Sequence, residues 1–348
     1  VINRVLLTGA SGFVGAHVLR HLLTHTDWHI VCPVTFTHHG LPGRIASSIC
    51  DDAEWINRVD VVHWDLRSPA DSVTVGRIGA IDYVLNVASE SHVDRSIEHP
   101  ADFISNNVSL MLNVLEMAVQ LQPKVFLQMS TDEVYGPAPE GYDSREWDVI
   151  APSNPYSASK AAQEAIAFSY WRTYGVPVVI TNTMNIVGEM QDREKFIPMI
   201  IGKVLSGNPI TVHTDSTGKP GSRFYLHARN LADAWLWLLH ERGHSWDLQE
   251  YADGSARPSR YNIVGEREVD NIEMVRLVAN AVWDAKGMPR TDPMINRVDF
   301  HSSRPGHDLR YALDGSKLHA IGWQPPVPLE SALKKTVAWT LDHPEWLR

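Results

Sequence analysis

Three glycines spaced three apart, Gly9, Gly12 and Gly15, lie between the apolar run Val5-Leu6-Leu7 and a stretch with helical periodicity. Glycine lets a chain turn sharply at the end of a strand and bring its backbone against a pyrophosphate. The N-terminus of the following helix favours that negative charge. Val14, Val18, Leu19, Leu22 and Leu23 form one apolar stripe, which predicts a helix over 16–23. Short apolar runs then predict strands at 30–32, 59–64, 83–88, 124–129 and 176–181. Helical patterns separate several of them, chiefly 101–121 and 156–174. Such alternation implies an α/β fold with a parallel, doubly wound sheet.

After Gly188 the alternation weakens. Helical patterns recur at 196–205, 231–240 and 272–283, between Pro/Gly clusters such as Gly207-Asn208-Pro209 and Gln324-Pro325-Pro326. The expected division is a dinucleotide-binding domain over 1–188, with a later segment around 222–265 returning to it. A smaller mixed C-terminal lobe over 189–348 would bind substrate. The chain has no internal repeat.

A net charge of -10, from 31 basic and 41 acidic residues, argues against a broad nucleic-acid footprint. Two cysteines, Cys32 and Cys50, do not make a disulfide framework in 348 residues. Neither a signal-peptide core nor a membrane-length apolar run is evident, so the reading is a cytoplasmic enzyme.

Two further stretches carry chemistry. Tyr156-Ser157-Ala158-Ser159-Lys160 places Tyr156 and Lys160 four apart at a helix start, with Ser153 or Asn154 as cap and Pro155 early in the helix. That spacing puts both on one face. A lysine ammonium would stabilise tyrosinate, so Tyr156 could take a hydroxyl proton as hydride leaves for a nicotinamide. Ser130-Thr131-Asp132-Glu133-Val134-Tyr135-Gly136 follows a strand and brings two carboxylates together. Neighbouring carboxylates in a cleft split their pKa values into an acid and a base, as removal of water requires. Thr131 can donate to a developing oxyanion.

The cofactor reading has one gap. Chains of this kind usually carry an acid near the end of the second strand for the adenosine ribose. Here no Asp or Glu occurs between Asp27 and Asp51, and the strand ends Cys32-Pro33-Val34-Thr35. No Arg occurs after that strand until Arg44, so a clamp for a 2′-phosphate is not evident and NAD is favoured over NADP. His38 and His39 could lie near the ribose or simply be solvated. Asp65 could take the adenine amino group or cap the next turn. Candidate cofactor contacts are Gly9, Gly12, Phe13, Val14, Gly15, Asp65, Leu66, Ala88, Tyr156 and Lys160. Arg223 and Arg304 could grip a diphosphate bidentately, with His92, Asn185, Lys195 and His307 as further substrate contacts. No metal site is expected.

Taken together, these stretches resemble the extended short-chain dehydrogenase/reductases, and among them the dTDP-glucose 4,6-dehydratase family. Further motifs carry the likeness: Glu90-Ser91-His92-Val93-Asp94-Arg95-Ser96-Ile97, Lys195-Phe196-Ile197-Pro198, Tyr261-Asn262-Ile263-Val264-Gly265 and Arg304-Pro305-Gly306-His307-Asp308-Leu309-Arg310. The resemblance implies a Rossmann-type domain and a tightly bound NAD regenerated in each turnover. By it, Tyr156, assisted by Thr131 and Lys160, serves oxidation at sugar C4. Glu133 removes the C5 proton, Asp132 protonates the departing C6 hydroxyl, and hydride returns to C6. It also implies a homodimer through helices 101–121 and 156–174. The chain departs from the family pattern at Val34, Ser89, Met184, Ile186, Val187, His213 and Phe224-Tyr225-Leu226-His227. Most of these flank the cofactor ribose or the nucleotide end of the substrate, which leaves the base and the sugar open. A nucleotide-sugar 4-epimerase would keep Tyr156 and Lys160 without needing Asp132-Glu133. A non-catalytic dinucleotide-binding protein could lose the Tyr or the Lys.

Overall fold

Leu6 and Leu7 are adjacent, so in a strand they point to opposite faces, and both faces here are covered. The computed structural model describes residues 2–37, 39–241, 249–250, 256–299 and 310–347. In chain order the strands are β1 (Arg4–Thr8), β2 (His29–Val34), β3 (Val59–His63), β4 (Tyr83–Asn86), β5 (Val125–Thr131), β6 (Val178–Thr183) and β7 (Asn185–Val187). They continue as β8 (Ile210–Thr214), β9 (Ser222–His227), β10 (Gln249–Glu250), β11 (Ala256–Arg257), β12 (Ser259–Ile263), β13 (Glu268–Asp270) and β14 (Ile295–Asp299). The helices are α1 (Phe13–His25), α2 (Pro42–Ile49), α3 (Ser72–Ile78), α4 (Val93–Glu98), α5 (Pro100–Leu121), α6 (Pro155–Tyr174), α7 (Phe196–Ser206) and α8 (Ala228–Glu241). The last three are α9 (Asn271–Lys286), α10 (Ser316–Ala320) and α11 (Leu329–Asp342).

Seven parallel strands form the main sheet in the order β12-β6-β5-β4-β1-β2-β3. Leu7, Leu85 and Leu127 face α1 and α8, where Leu19, Leu22, Trp235 and Leu239 bury them. Leu6, Val84 and Phe126 face α5 and α6, against Leu110, Val114, Ala167 and Tyr170. Each such side chain contributes about 1.5–3 kcal/mol on burial. The strand order reverses between β1 and β4, which opens a crevice at their C-terminal ends, where ligands bind in sheets of this topology.

β12 was not legible as an apolar run, because Ser259-Arg260-Tyr261-Asn262-Ile263 carries Arg260 and Asn262 yet is buried throughout. Arg260 is accommodated by an ion pair with Glu164 of α6 and by donating to the Glu146 carbonyl (2.9 Å). Within 222–265, β9 pairs in a small sheet, β13-β9-β7, whereas α8 packs on α1 and β12 joins the main sheet. A third core, with Ile200, Ile201, Val275, Val278 and Leu333, joins α7, α9 and α11 beside that small sheet.

One seam makes the fold acid-sensitive. His17 of α1 is buried and donates from Nε2 to the Glu189 carbonyl at 2.9 Å. Burial pulls its pKa down to about 4, with Glu189 acting the other way. An unfolded histidine titrates near ~6.5, so the unfolded chain binds more protons between that pH and about 4. This contribution is therefore complete above pH ~6.5 and is lost as pH falls, on the order of 3 kcal/mol. His17→Gln keeps a donor without the titration. Its denaturation midpoint should fall less than the parent's between neutral and mildly acidic pH, and equal falls would contradict the assignment.

Candidate active site

β5 ends at Thr131, which caps a single 3₁₀ turn, Asp132–Tyr135. The Thr131 hydroxyl accepts from the Glu133 amide (3.3 Å) and donates to Asp132 Oδ1 (2.9 Å). Gly136 closes the turn at φ +77°, and a Cβ there would stand 2.3 Å from the Ala151 carbonyl oxygen. Asp132 is buried, and its Oδ2 has no hydrogen-bond partner among the described residues. Glu133 Oε2 accepts from Asn154 Nδ2 at 3.1 Å. Burial pushes Asp132 up to about 6, against the Thr131 hydrogen bond and the Arg223 charge. Burial and then the Asp132 charge push Glu133 up to about 7. Both carboxyls rise rather than moving in opposite directions, and near neutral pH the pair holds about one proton.

Of the two caps considered for α6, it is Asn154 that accepts from the Ser157 amide (2.9 Å), while Ser157 Oγ accepts from the Asn154 amide (3.2 Å). Pro155 opens the helix, and the Tyr156 amide donates to Ser96 Oγ at 3.1 Å. Burial, then Glu133 and Asp132, raise the Tyr156 phenol, and its contact with the Thr131 hydroxyl opposes them. Tyr156 lines one cavity together with Lys160. The Lys160 ammonium donates to the Met129 carbonyl (2.8 Å) and Gln163 Oε1 (2.6 Å), and the charges acting on Tyr156 are those of the acid pair. Burial brings Lys160 down to about 7.

Two adjoining cavities meet at Tyr156. The smaller, about 280 Å³, is lined by the glycine turn, Asp65, Leu66, Ala88, Tyr156 and Lys160. Its floor fits a dinucleotide. Gly9 has φ +72°, and a Cβ on Gly15 would lie 2.0 Å from the Gly9 carbonyl oxygen. Gly12 caps α1 without a side-chain hydrogen bond, and the first turn carries no acid. Phe13 and Val14 line both cavities. Gly15→Ala should therefore lower the melting temperature and strip nicotinamide cofactor from the purified protein. A variant that melts and retains cofactor like the parent would contradict this packing.

At the β2 edge of this cavity Val34 is buried, and Thr35, Thr37 and His39 line the rim together with Asp192 and Glu194. His38 lies outside the described residues. Arg44 is fully buried, donating to the Met190 carbonyl and to Asp192 (2.8 Å), so it cannot clamp a 2′-phosphate. Asp65 accepts from Arg67 through Nε and Nη2 and also closes the turn by accepting the Arg67 amide (3.0 Å). The α3 cap is Asp71 instead.

The larger cleft, about 950 Å³, brings His92, Asn185, Lys195 and Arg223 to the same space as Thr131, Asp132, Glu133 and Tyr156. Arg223 is buried, with its guanidinium 4.5 Å from the centre of the Tyr311 ring. Lys195 borders both cavities and donates to the Ser91 carbonyl at 3.2 Å. Arg304 and His307 lie outside the described residues. Glu194, not singled out from the sequence, lines the cleft with Tyr225, and His39 joins Asp192 (3.2 Å), likewise not singled out, and Arg95 (3.1 Å) at the rim of the smaller cavity. Among the described residues no cluster of His, Cys, Asp or Glu could hold a metal, and no helix is long and apolar enough to cross a membrane.

Comparison with known proteins matches residues 5–250 to the NAD dependent epimerase/dehydratase family. The dTDP-glucose 4,6-dehydratase of Salmonella typhimurium is 31% identical over 363 residues, covering 99% of this chain and 94% of the relative. That of Neisseria meningitidis serogroup B is 33% identical over 366 residues, covering 99% and 95%. Among solved structures, DesIV, the dTDP-glucose 4,6-dehydratase of Streptomyces venezuelae with NAD and TYD bound, superposes with a TM-score of 0.81. It is 29% identical and covers 99% of this chain and 98% of that one. The UDP-glucose 4-epimerase of Thermus thermophilus in complex with NAD gives a TM-score of 0.76 at 26% identity, covering 97% and 98%.

Proposed function

The chain belongs to the NAD dependent epimerase/dehydratase family, alongside dTDP-glucose 4,6-dehydratases, and from that premise we propose that it is a hydro-lyase acting on a nucleoside-diphosphate hexose. It converts a glucose-configured sugar, carried on dTDP or UDP, to the 4-keto-6-deoxy product. One observation carries this reading: the Asp132–Glu133 pair lines the same cleft as Tyr156, with an Asp132 oxygen left without a partner among the described residues. An epimerase has no use for that pair.

The residues divide the work by position. Gly9, Gly12 and Gly15 cradle the pyrophosphate, and Asp65, Leu66 and Ala88 border the adenine end. Bound there, NAD supplies the nicotinamide that accepts hydride from C4 and gives it back at C6. Tyr156 takes the C4 hydroxyl proton, with Thr131 donating to the same oxygen and Lys160 holding positive charge nearby. The C4 carbonyl acidifies C5–H. Glu133 removes that proton, Asp132, through its second oxygen, delivers one to the C6 hydroxyl as water leaves, and Glu133 returns its proton to C5 as hydride reaches C6. Arg223 and Lys195 bear positive charge toward the diphosphate, and His92 and Asn185 contact sugar hydroxyls; Arg304 and His307 belong to the same proposed set.

Ile104 and Leu112 of α5 are exposed, at 41% and 42%, and we assign them to a homodimer face shared with α6. The protein is taken to work in the cytoplasm.

Mass spectrometry after incubation with dTDP-glucose, UDP-glucose, CDP-glucose and GDP-mannose tests the reaction. Loss of one water from a single member is expected and names the carrier. An unchanged panel with NAD supplied counts against the dehydratase and leaves the epimerase, whose product has the same mass.

A further inference from the structure

Lys160 is a buried ammonium with no carboxylate to accept from it among the described residues. Glu164, the charged group acting on it, already accepts from Asn182 Nδ2 (2.9 Å) and pairs with Arg260. Its own two acceptors are neutral: the Met129 carbonyl and Gln163 Oε1. What β5 and α5 present to it is likewise uncharged, namely Gln128 and Asn107.

Because an ammonium only donates, the Gln163 amide oxygen must face Lys160. The direction of every following bond is then fixed. Gln163 Nε2 donates to the Asn107 carbonyl (2.8 Å), and Gln163 Oε1 also accepts from Gln128 Nε2 (3.2 Å). Gln128 Oε1 accepts from Asn86 Nδ2 (2.7 Å), and Asn86 Oδ1 accepts from the Thr8 hydroxyl (2.6 Å). Thr8 Oγ1 in turn accepts from the amides of Val87 and Ala88, both at 3.1 Å. Gln128, Asn86 and Thr8 are registered neighbours on β5, β4 and β1. All of these side chains are 0–2% exposed.

We propose that Thr8, Asn86, Gln128 and Gln163 form a directional amide relay that holds the Lys160 ammonium and ties it to the strand end carrying the phosphate-binding glycine turn. Gln163 is the positioning residue at its end. Its oxygen and Met129 take two of the three ammonium protons, which leaves one for the smaller cavity that Lys160 borders. The role of this aimed charge in hydride transfer rests on the dehydratase reading; the relay itself does not.

The test follows the Lys160 Nζ resonance of ¹⁵N-lysine-labelled protein through a pH titration, with Lys160→Arg for assignment. A hydrogen bond to the charged form favours it, so Gln163→Leu should lower the Lys160 midpoint by about one pH unit or more. Gln163→Glu should raise it. Coincident midpoints in parent and both variants overturn the relay, leaving a merely structural amide. Where Gln163→Leu fails to fold, an unmoved or lowered midpoint in Gln163→Glu overturns it alone. The midpoint reads Lys160 whatever sugar the cleft takes, so it still moves if the relay holds and the dehydratase reading fails.

Discussion

Tyr156→Phe is expected to stop the reaction before any bond to carbon changes, lowering hydride removal from C4 by about 10²–10⁴. The substitution deletes one oxygen. Tyr156 shares a cleft with Thr131 and the acid pair, and its phenol is held above the ordinary tyrosine value by burial and by two carboxylates. Such a group keeps its proton until a cation is brought close, so the positive charge of Lys160 matters to the step. With the phenol gone, the oxygen assigned to take the C4 proton is missing, while Glu133 and Asp132 are assigned to the later loss of water. Stopped-flow absorbance of the nicotinamide on mixing with substrate checks this. An unchanged amplitude and rate in the variant would remove Tyr156 from its assigned role.

Glu133→Gln should separate the two halves of the chemistry. The amide keeps the shape and the contact with Asn154 but cannot take a proton. Oxidation at C4 should survive, while water loss and exchange of the C5 proton with solvent deuterium fall by about 10²–10⁴. The pH profile offers a second sign. In the parent one carboxyl must be ionised and the other protonated, so water loss follows a bell whose limbs belong to the pair. Asp132, raised to about 6, and Glu133, raised to about 7, place that bell close to neutrality; the shared proton then rests mainly on Glu133, and water loss draws on the minor form in which Asp132 carries it. The variant should keep a single limb. Parent-like water loss from Glu133→Gln would move the C5 base elsewhere.

What could be read from the sequence was whatever repeats a local rule. The glycine turn, the apolar strands β1 to β6 and the long helices announce themselves through spacing and periodicity. So does the cap of α6, where Asn154 and Pro155 precede Tyr156. Other features depend on partners far along the chain. β12 hides behind Arg260 because its partner Glu164 lies 96 residues away. The relay escaped for the same reason, although it left a trace. Asn86 and Gln128 are each a polar residue ending or interrupting an otherwise apolar strand, and the register places them side by side. The setting of Lys160 could not be foreseen, because helical spacing says which face a side chain shares but not which acceptors lie beneath it. The ribose rim shows the reverse case: the missing acid was evident, but not that Arg44 would be withdrawn to Asp192.

The most direct measurement is the fate of deuterium placed at C4 of the nucleotide sugar that the mass-spectrometric panel identifies. If C4 is oxidised by hydride loss to the nicotinamide with Tyr156 as base, and the Asp132–Glu133 pair then expels water before hydride returns, the label must appear at C6 of the 4-keto product within the same molecule. Deuterium retained at C4, or lost to solvent or to free cofactor, would contradict dehydration through transient oxidation.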